Sequence, residues 1–234
     1  MKIGIDFGIT HTDVAISNDQ GTNFQTLKSL NMNQDLQNIF DSIEKPENIK
    51  KIFVTGGKSS DLPKTLNGLH VSHKNEIDSI ALGAKQLYDL KESALIVSTG
   101  TGTACVHFDG ENGNHLGGIA VGGGMLCGLG NLLLKNDNAL EIDEFAEKGD
   151  KSKIDFLIGD VVNKIGNLSP EITAANFSKA VNSEFATMEN VAASLCNMIG
   201  EVIGTIAYLN AFLVWVDKFY FICRTDLLKN VQAC

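Results

Sequence analysis

Short apolar runs separated by glycine turns open the chain. Lys2 to Asp6 predicts a buried strand ending in the turn Phe7-Gly8-Ile9-Thr10. His11 to Ser17 predicts a second strand and Asn23 to Leu30 a third, after a turn at Asp19-Gln20-Gly21. The rhythm then changes. Leu36, Ile39, Phe40 and Ile43 recur on one helical face, which predicts a helix over Gln34 to Ile43, stopped by Pro46. Lys51 to Thr55 returns to strand and runs into Gly56-Gly57-Lys58. Leu69 to Val71 is a short strand. Glu76 to Leu90 carries the apolar stripe Ile77, Ile80, Ala81, Ala84, Leu87 and Tyr88, a second helix.

The pattern starts again further on. Ala94 to Val97, Ala104 to Phe108 and His115 to Val121 read as three strands. Helical patterns follow at Met125 to Leu134, Glu141 to Lys148, Asp155 to Val162, Thr173 to Val181 and Asn190 to Val214. Phe219 to Ile222 is a last strand. Such alternation predicts an α/β architecture with two mixed sheets flanked by helices. The two three-strand openings look like related halves, and the expected division is residues 1–92 and 93–234.

Composition narrows the chemistry. The chain has 234 residues, 44% of them hydrophobic, enough for a real core. A net charge of -9 argues against a nucleic-acid surface. Arg224 is the only arginine. Five cysteines (105, 127, 196, 223, 234) form no CxxC pair, and no signal peptide precedes them, which reads as reduced thiols in the cytosol. The apolar run Val202 to Val216 is short of the ~20 residues of a membrane span. It reads as a buried helix.

The candidate chemistry sits in the turns. Ser98 to Thr103 joins two apolar strands through Gly100 and Gly102, and a glycine turn can converge its backbone N–H groups on an anion, most often phosphate. Gly122-Gly123-Gly124, where a helix begins, offers a second amide cluster backed by the helix dipole. Asp6 and Thr10 project from the first turn, beside Gly8. A carboxylate next to such amides suits Mg²⁺ bound to phosphate; local turn capping is the structural alternative. Glu76 opens a helix, where it either complements the dipole or serves as a general base. Gly56-Gly57-Lys58-Ser59 resembles the tail of a P-loop, but Ile52 stands where the upstream glycine belongs, so that motif fails.

Taken together, the segments GIDFGITHTDVAI, VTGG (54–57), NEIDSIALGA (75–84), STGTGTACVHFDG and LGGIAVGGGMLCGLGNLL resemble the type II pantothenate kinases, within the superfamily of acetate and sugar kinases, Hsc70 and actin. AEKGDKSKIDFLIGD, LSPEITAANFSKA and ENVAASLCNMIGEVIGTIAYLNA extend the resemblance to about Phe221. It implies a duplicated actin-like (ribonuclease H-like) ATPase fold. It also implies ATP- and Mg²⁺-dependent phosphorylation of pantothenate in the cytoplasm, at the start of coenzyme A biosynthesis. In that reading Asp6, Gly8 and Thr10 form the first phosphate loop, with Asp6 at the metal. Thr99, Gly100, Thr101, Gly102 and Thr103 form the second. Glu76 takes the proton from the attacking hydroxyl. Gly122, Gly123 and Gly124 lie against the nucleotide or an acyl-CoA regulator, and His115, Gly117 and Gly118 against the acceptor. The family implies a homodimer through its long helix, and neither nucleic acid nor membrane as partner.

The chain departs from the family in three places. Asn114 and His115 stand where arginines usually precede the Gly-Gly, and a neutral histidine does not reproduce a guanidinium fork. Asp13 replaces a frequent lysine. The last strand leads into Cys223-Arg224-Thr225 rather than glycines, and family members continue for roughly one more strand and helix. These departures keep a second reading open, a non-catalytic paralogue that binds a nucleotide or acyl-CoA. A third reading, an ATPase that activates a dehydratase, needs a cysteine pair for an iron–sulfur cluster; Cys127 alone does not supply one.

Overall fold

The computed structural model describes residues 1–43, 45–57, 59–66, 68–162, 166, 168–181, 183–222, 224–225 and 228–232. The chain divides into two units, Met1–Gln86 and Leu87–Cys234. The division falls within a helix, six residues before the boundary expected from sequence.

The first unit holds β1 (Lys2–Phe7), β2 (His11–Asn18), β3 (Gly21–Lys28), α1 (Met32–Ser42), β4 (Lys51–Thr55), β5 (Thr65–Leu66), β6 (Leu69–His73) and α2 (Glu76–Tyr88), the last running into the second unit. Its sheet has the order β3-β2-β1-β4-β6-β5. β1 to β3 form an antiparallel meander, and β4 runs parallel to β1 and to β6. Alternation along the strands sends Ile3, Ile5, Val14, Ile52, Val54 and Val71 to one face, where Leu36, Ile39 and Ile43 of α1 complete a core. Gly4, Asp6, Asp13, Ala15, Phe53 and Thr55 therefore fall on the other face. α2 departs from its expected stripe: Ala81 and Ala84 are buried, but Leu87 and Tyr88 are exposed.

The second unit repeats the plan. It holds β7 (Ala94–Thr99), β8 (Thr103–Phe108), β9 (Gly113–Ile119), α3 (Gly123–Leu134), α4 (Ala139–Ala146), β10 (Phe156–Leu157), α5 (Ile158–Val161), β11 (Thr173–Ala175), α6 (Met188–Leu213), β12 (Phe219–Ile222) and α7 (Lys229–Gln232). β7 to β9 form another antiparallel meander and β12 runs parallel to β7, giving the order β12-β7-β8-β9. Leu195, Ile199 and Ile203 of α6 pack with Leu95, Val97 and Leu126 in the core.

Two expected helices differ. Asp155 to Val162 forms strand β10 and one turn of helix, and Thr173 to Val181 forms β11 followed by turns. Buried Asp155 explains both. Its carboxylate accepts from the Phe177 N–H at 2.7 Å and from the Ser194 hydroxyl, and Phe177 takes a positive φ of 59° to reach it. Helical periodicity in 173–181 yields to that anchor. The strand β5 and the terminal helix α7 carry no sequence pattern strong enough to predict them.

α6 spans 26 residues and is long and apolar enough to cross a membrane by length and composition. That exceeds the short run read from sequence. Half of its most apolar window is nevertheless buried within the fold. Cys105 and Cys196 are buried free thiols and Cys127 is half-buried; Cys223 and Cys234 lie outside the described residues.

Candidate active site

In the first unit the β1–β2 turn brings Gly8 and Thr10 to the end of the strand that carries Asp6. Gly8 is tightly placed: a Cβ there would meet the His11 carbonyl oxygen at 2.5 Å. The Ser29 hydroxyl donates to the Gly8 carbonyl at 2.8 Å, and the Ser29 N–H to the Thr10 carbonyl at 3.0 Å. In a trans peptide the N–H points opposite to the C=O. The Ile9 N–H is thus directed away from Ser29. Behind the turn, the Thr12 hydroxyl donates to buried Asp35 at 3.1 Å and lies 3.0 Å from the Ser29 hydroxyl.

Asp6 stands beside β4's exit. A side chain at Gly56 would collide with Asp6 Oδ1, and Gly56 has a φ of +78°, so glycine is required there on two counts. Burial, then Glu76, then Asp13 raise the Asp6 pKa from 3.8 to about 6. Asp6 keeps solvent contact, so this is a partly screened carboxylate among other carboxylates. Glu76 lies exposed in the first turn of α2, whose Ile77 N–H is capped by Asn75 Oδ1 at 2.8 Å. A cavity of about 390 Å³ adjoins Asp6, lined also by Asp13, Phe53, Thr55, Lys74 and Ser79. Lys74 holds its ammonium 5.9 Å from the Phe53 ring centroid; sequence reading passed over it. Lys58 lies outside the described residues.

In the second unit, Thr99 pairs with Thr103, leaving Gly100-Thr101-Gly102 as a three-residue turn. The Gly123 N–H donates to the Gly100 carbonyl at 2.8 Å and the Gly124 N–H to the Thr101 carbonyl at 2.9 Å. The start of α3, expected to present its own amides to an anion, directs these two at the turn instead. By the same planarity argument the N–H groups of Thr101 and Gly102 are directed away from α3. A Cβ on Gly100 would meet only the Gly102 oxygen, at 4.0 Å, so the turn is open above that residue. Its flanking threonines look inward: Thr99 donates to the Ile222 carbonyl at 3.0 Å and Thr103 to the Val121 carbonyl at 2.7 Å. Thr225, buried and singled out in the sequence only as a departure from glycine, donates to the Gly100 carbonyl at 3.2 Å.

β9 carries the expected acceptor residues. His115 is exposed opposite Val106, Gly117 has a φ of +128°, and a side chain at Gly118 would collide with the Thr103 carbonyl. With these carbonyls held from behind, N–H groups on the opposite peptide edges are the anion-binding candidates, and the Asp6 carboxylate is a candidate hard-cation ligand. Among the described residues no cluster of three or more His, Cys, Asp or Glu encloses a metal site.

Comparison with known proteins is informative at two levels. The family described as Fumble matches residues 92–224. Over 98% of this chain, and 85% of its own length, the type II pantothenate kinase of Bacillus cereus (strain G9842) is 31% identical. The chain belongs to the type II pantothenate kinase family. Among solved structures, component A of the (R)-2-hydroxyglutaryl-CoA dehydratase of Acidaminococcus fermentans superposes with a TM-score of 0.69 at 15% identity, covering 99% of this chain and 86% of that one. The activator of the 2-hydroxyisocaproyl-CoA dehydratase from Clostridium difficile, with bound ADPNP, gives 0.63 at 13%, covering 98% and 91%. At such identities the likeness is one of fold: an actin-like ATPase architecture in which each half presents a hairpin turn after its first strand. Type II pantothenate kinase membership, by contrast, rests on sequence throughout the chain.

Proposed function

We propose that the chain is a kinase that transfers the terminal phosphoryl group of ATP to the hydroxyl of pantothenate, giving 4'-phosphopantothenate for coenzyme A synthesis in the cytoplasm. The observation that carries this reading is the placement of Asp6 at the Gly8–Thr10 turn, with Glu76 near enough to raise its pKa. Phosphoryl transfer needs little covalent work from a protein. It needs held phosphates, neutralised charge and a base at the nucleophile.

The outer amides of the Gly8–Thr10 and Gly100–Gly102 turns are suited to phosphate oxygens. Asp6 would hold Mg²⁺, which when bound supplies charge neutralisation at those oxygens. Glu76, exposed in the first turn of α2, would accept the proton of the pantothenate hydroxyl. His115 and the Gly117-Gly118 backbone are the acceptor-side candidates on β9, with the histidine able to donate one hydrogen bond where the family places arginine. An acyl-CoA regulator belongs to the same reading.

α6 favours a homodimer. Val202, Thr205, Leu209 and Phe212 are exposed along it with spacings of three, four and three residues, the seam of a helix pair.

Coupled ADP release with ATP and Mg²⁺, with and without pantothenate, tests the function. Pantothenate-dependent release is expected. Nucleotide binding without it would instead support the non-catalytic paralogue, the reading favoured by Asn114 and His115 standing where the family has arginine.

A further inference from the structure

Each glycine turn is held from behind by one side-chain hydroxyl on the carbonyl of its first glycine. In the first unit Ser29 Oγ donates to the Gly8 oxygen at 2.8 Å, and in the second Thr225 Oγ1 donates to the Gly100 oxygen at 3.2 Å. The two hydroxyls come from different places. Ser29 follows β3, whereas Thr225 follows β12, so the duplication of the strand plan does not account for the match. We propose that Ser29 and Thr225 are positioning residues, each holding its own glycine turn in the shape that presents backbone amides to phosphate; this rests on the kinase reading above.

The physical argument starts from the peptide plane. The Gly8 oxygen and the Ile9 N–H lie on opposite edges of one rigid unit, as do the Gly100 oxygen and the Thr101 N–H. Fixing the oxygen fixes the direction of the N–H. Glycine on its own imposes no such restriction, since it samples both signs of φ. A turn that must aim amides at a ligand therefore gains from an anchor on the carbonyl side, and pre-orientation reduces the ordering cost of binding.

The surroundings show that both anchors are built in. Ser29 Oγ lies 3.0 Å from Thr12 Oγ1, which in turn donates to Asp35, and Thr12 and Asp35 are both buried. Asp35 also accepts the Leu30 N–H at 3.2 Å, which ties down the residue after Ser29. Thr225 is 4% exposed. Its hydroxyl occupies the place a side chain at position 123 would need, since a Cβ on Gly123 would lie 2.8 Å from Thr225 Oγ1. The Gly100 oxygen thus receives two donors, the Gly123 N–H and the Thr225 hydroxyl. Gly123 is required for packing against this pin.

The experiment compares the native chain with Ser29→Ala, Thr225→Val and the hydroxyl-retaining Thr225→Ser. Two readouts are used: amide hydrogen exchange of residues 8–12 and 100–104 in the free protein, and equilibrium binding of a non-hydrolysable ATP analogue with Mg²⁺. Losing one such hydrogen bond is expected to weaken analogue binding roughly three- to tenfold. Exchange should quicken in the turn belonging to the altered residue, with the global unfolding midpoint within a few degrees of native. Thr225→Ser restores both. Steady-state kinetics should place the loss in the KM for ATP, with the KM for pantothenate unchanged. Unaltered exchange and affinity in Ser29→Ala and Thr225→Val overturn the proposal, as does Thr225→Ser behaving like Thr225→Val. Faster exchange in a native-like fold that turns over no pantothenate upholds the pins and removes only the kinase reading.

Discussion

Asp6 on β1 and Asp13 on β2 are register partners, so two carboxylates meet across one strand pair on the same sheet face. Asp13 is held there by the Thr26 hydroxyl at 2.5 Å. Asp13 is the smallest of the three causes that raise Asp6, after burial and Glu76. Replacing Asp13 by Asn should lower the Asp6 pKa, and Asp13→Lys, the residue common in the family, should lower it further. Carboxyl carbon chemical shifts followed against pH measure this. An Asp6 midpoint that stays near 6 in both variants would show that Asp13 is too well screened to matter.

Stability should follow the same group. The folded pKa of Asp6, about 6, lies above the unfolded value near 3.8. Between those values the folded chain holds the extra proton, so stability falls as pH rises through that window and stays lower above it. Asp6→Asn removes the charge. It should leave stability unchanged below about pH 3.5 and raise it above pH 6, by ~1 kcal/mol or less because Asp6 is solvent-screened. The same variant should lose turnover. Urea midpoints at pH 3.5 and 7.5 decide the matter; equal shifts at both would refute the charge explanation.

Glu76→Ala should lower turnover by about 10²–10⁴-fold, the usual range for a general base. Affinity for an ATP analogue should change less than about twofold, since Glu76 acts on the acceptor. Turnover within a few-fold of native would remove Glu76 from the chemistry.

Asp155 offers a purely structural test. Its Oδ2 is buried with no partner among the described residues, while Oδ1 serves both Ser194 and Phe177. Asp155→Ala strands two donors and should cost about 2–4 kcal/mol. Asp155→Asn keeps an acceptor and should cost less. Denaturant titration of both variants reads the difference, and equal losses would show that the acceptor is not what matters.

For the dimer, Leu209→Asp should convert the chain to monomers in light scattering coupled to gel filtration while the circular dichroism of the fold persists. A native monomer, or a variant that remains dimeric, would turn the α6 stripe into ordinary exposed surface.

Most of the framework was legible because strands of alternating or continuous apolar character carry it. Lys51–Thr55 and Phe219–Ile222 match the reading residue for residue, and the start of α2 at Glu76 follows from Asn75 and the acidic first turn. The glycine turns were legible as turns. Who holds them was not. Ser29, Asp35 and Thr225 act through tertiary hydrogen bonds across 21, 23 and 125 residues, and no local spacing reports such partners. The failed helix over 173–181 has the same origin, a distant carboxylate overriding local periodicity. α7 is seated by buried Asp143, whose carboxylate accepts the Lys229 and Asn230 N–H groups at 3.1 and 3.0 Å, again a partner far away in sequence.

β12 lies against β7, and its neighbourhood reaches the Gly100 turn through bonds that link residues 123 and 125 positions apart. During synthesis the β7–β8 hairpin leaves the ribosome long before the strand and threonine that brace it. Residues 98–103 must wait, without their lateral support, while more than a hundred further residues are made. Long-range pairing of this kind closes late and slowly. The Gly100 turn should therefore take its final shape only once β12 and Thr225 have been made, whereas Ser29 reaches the first turn almost as soon as β3 has emerged.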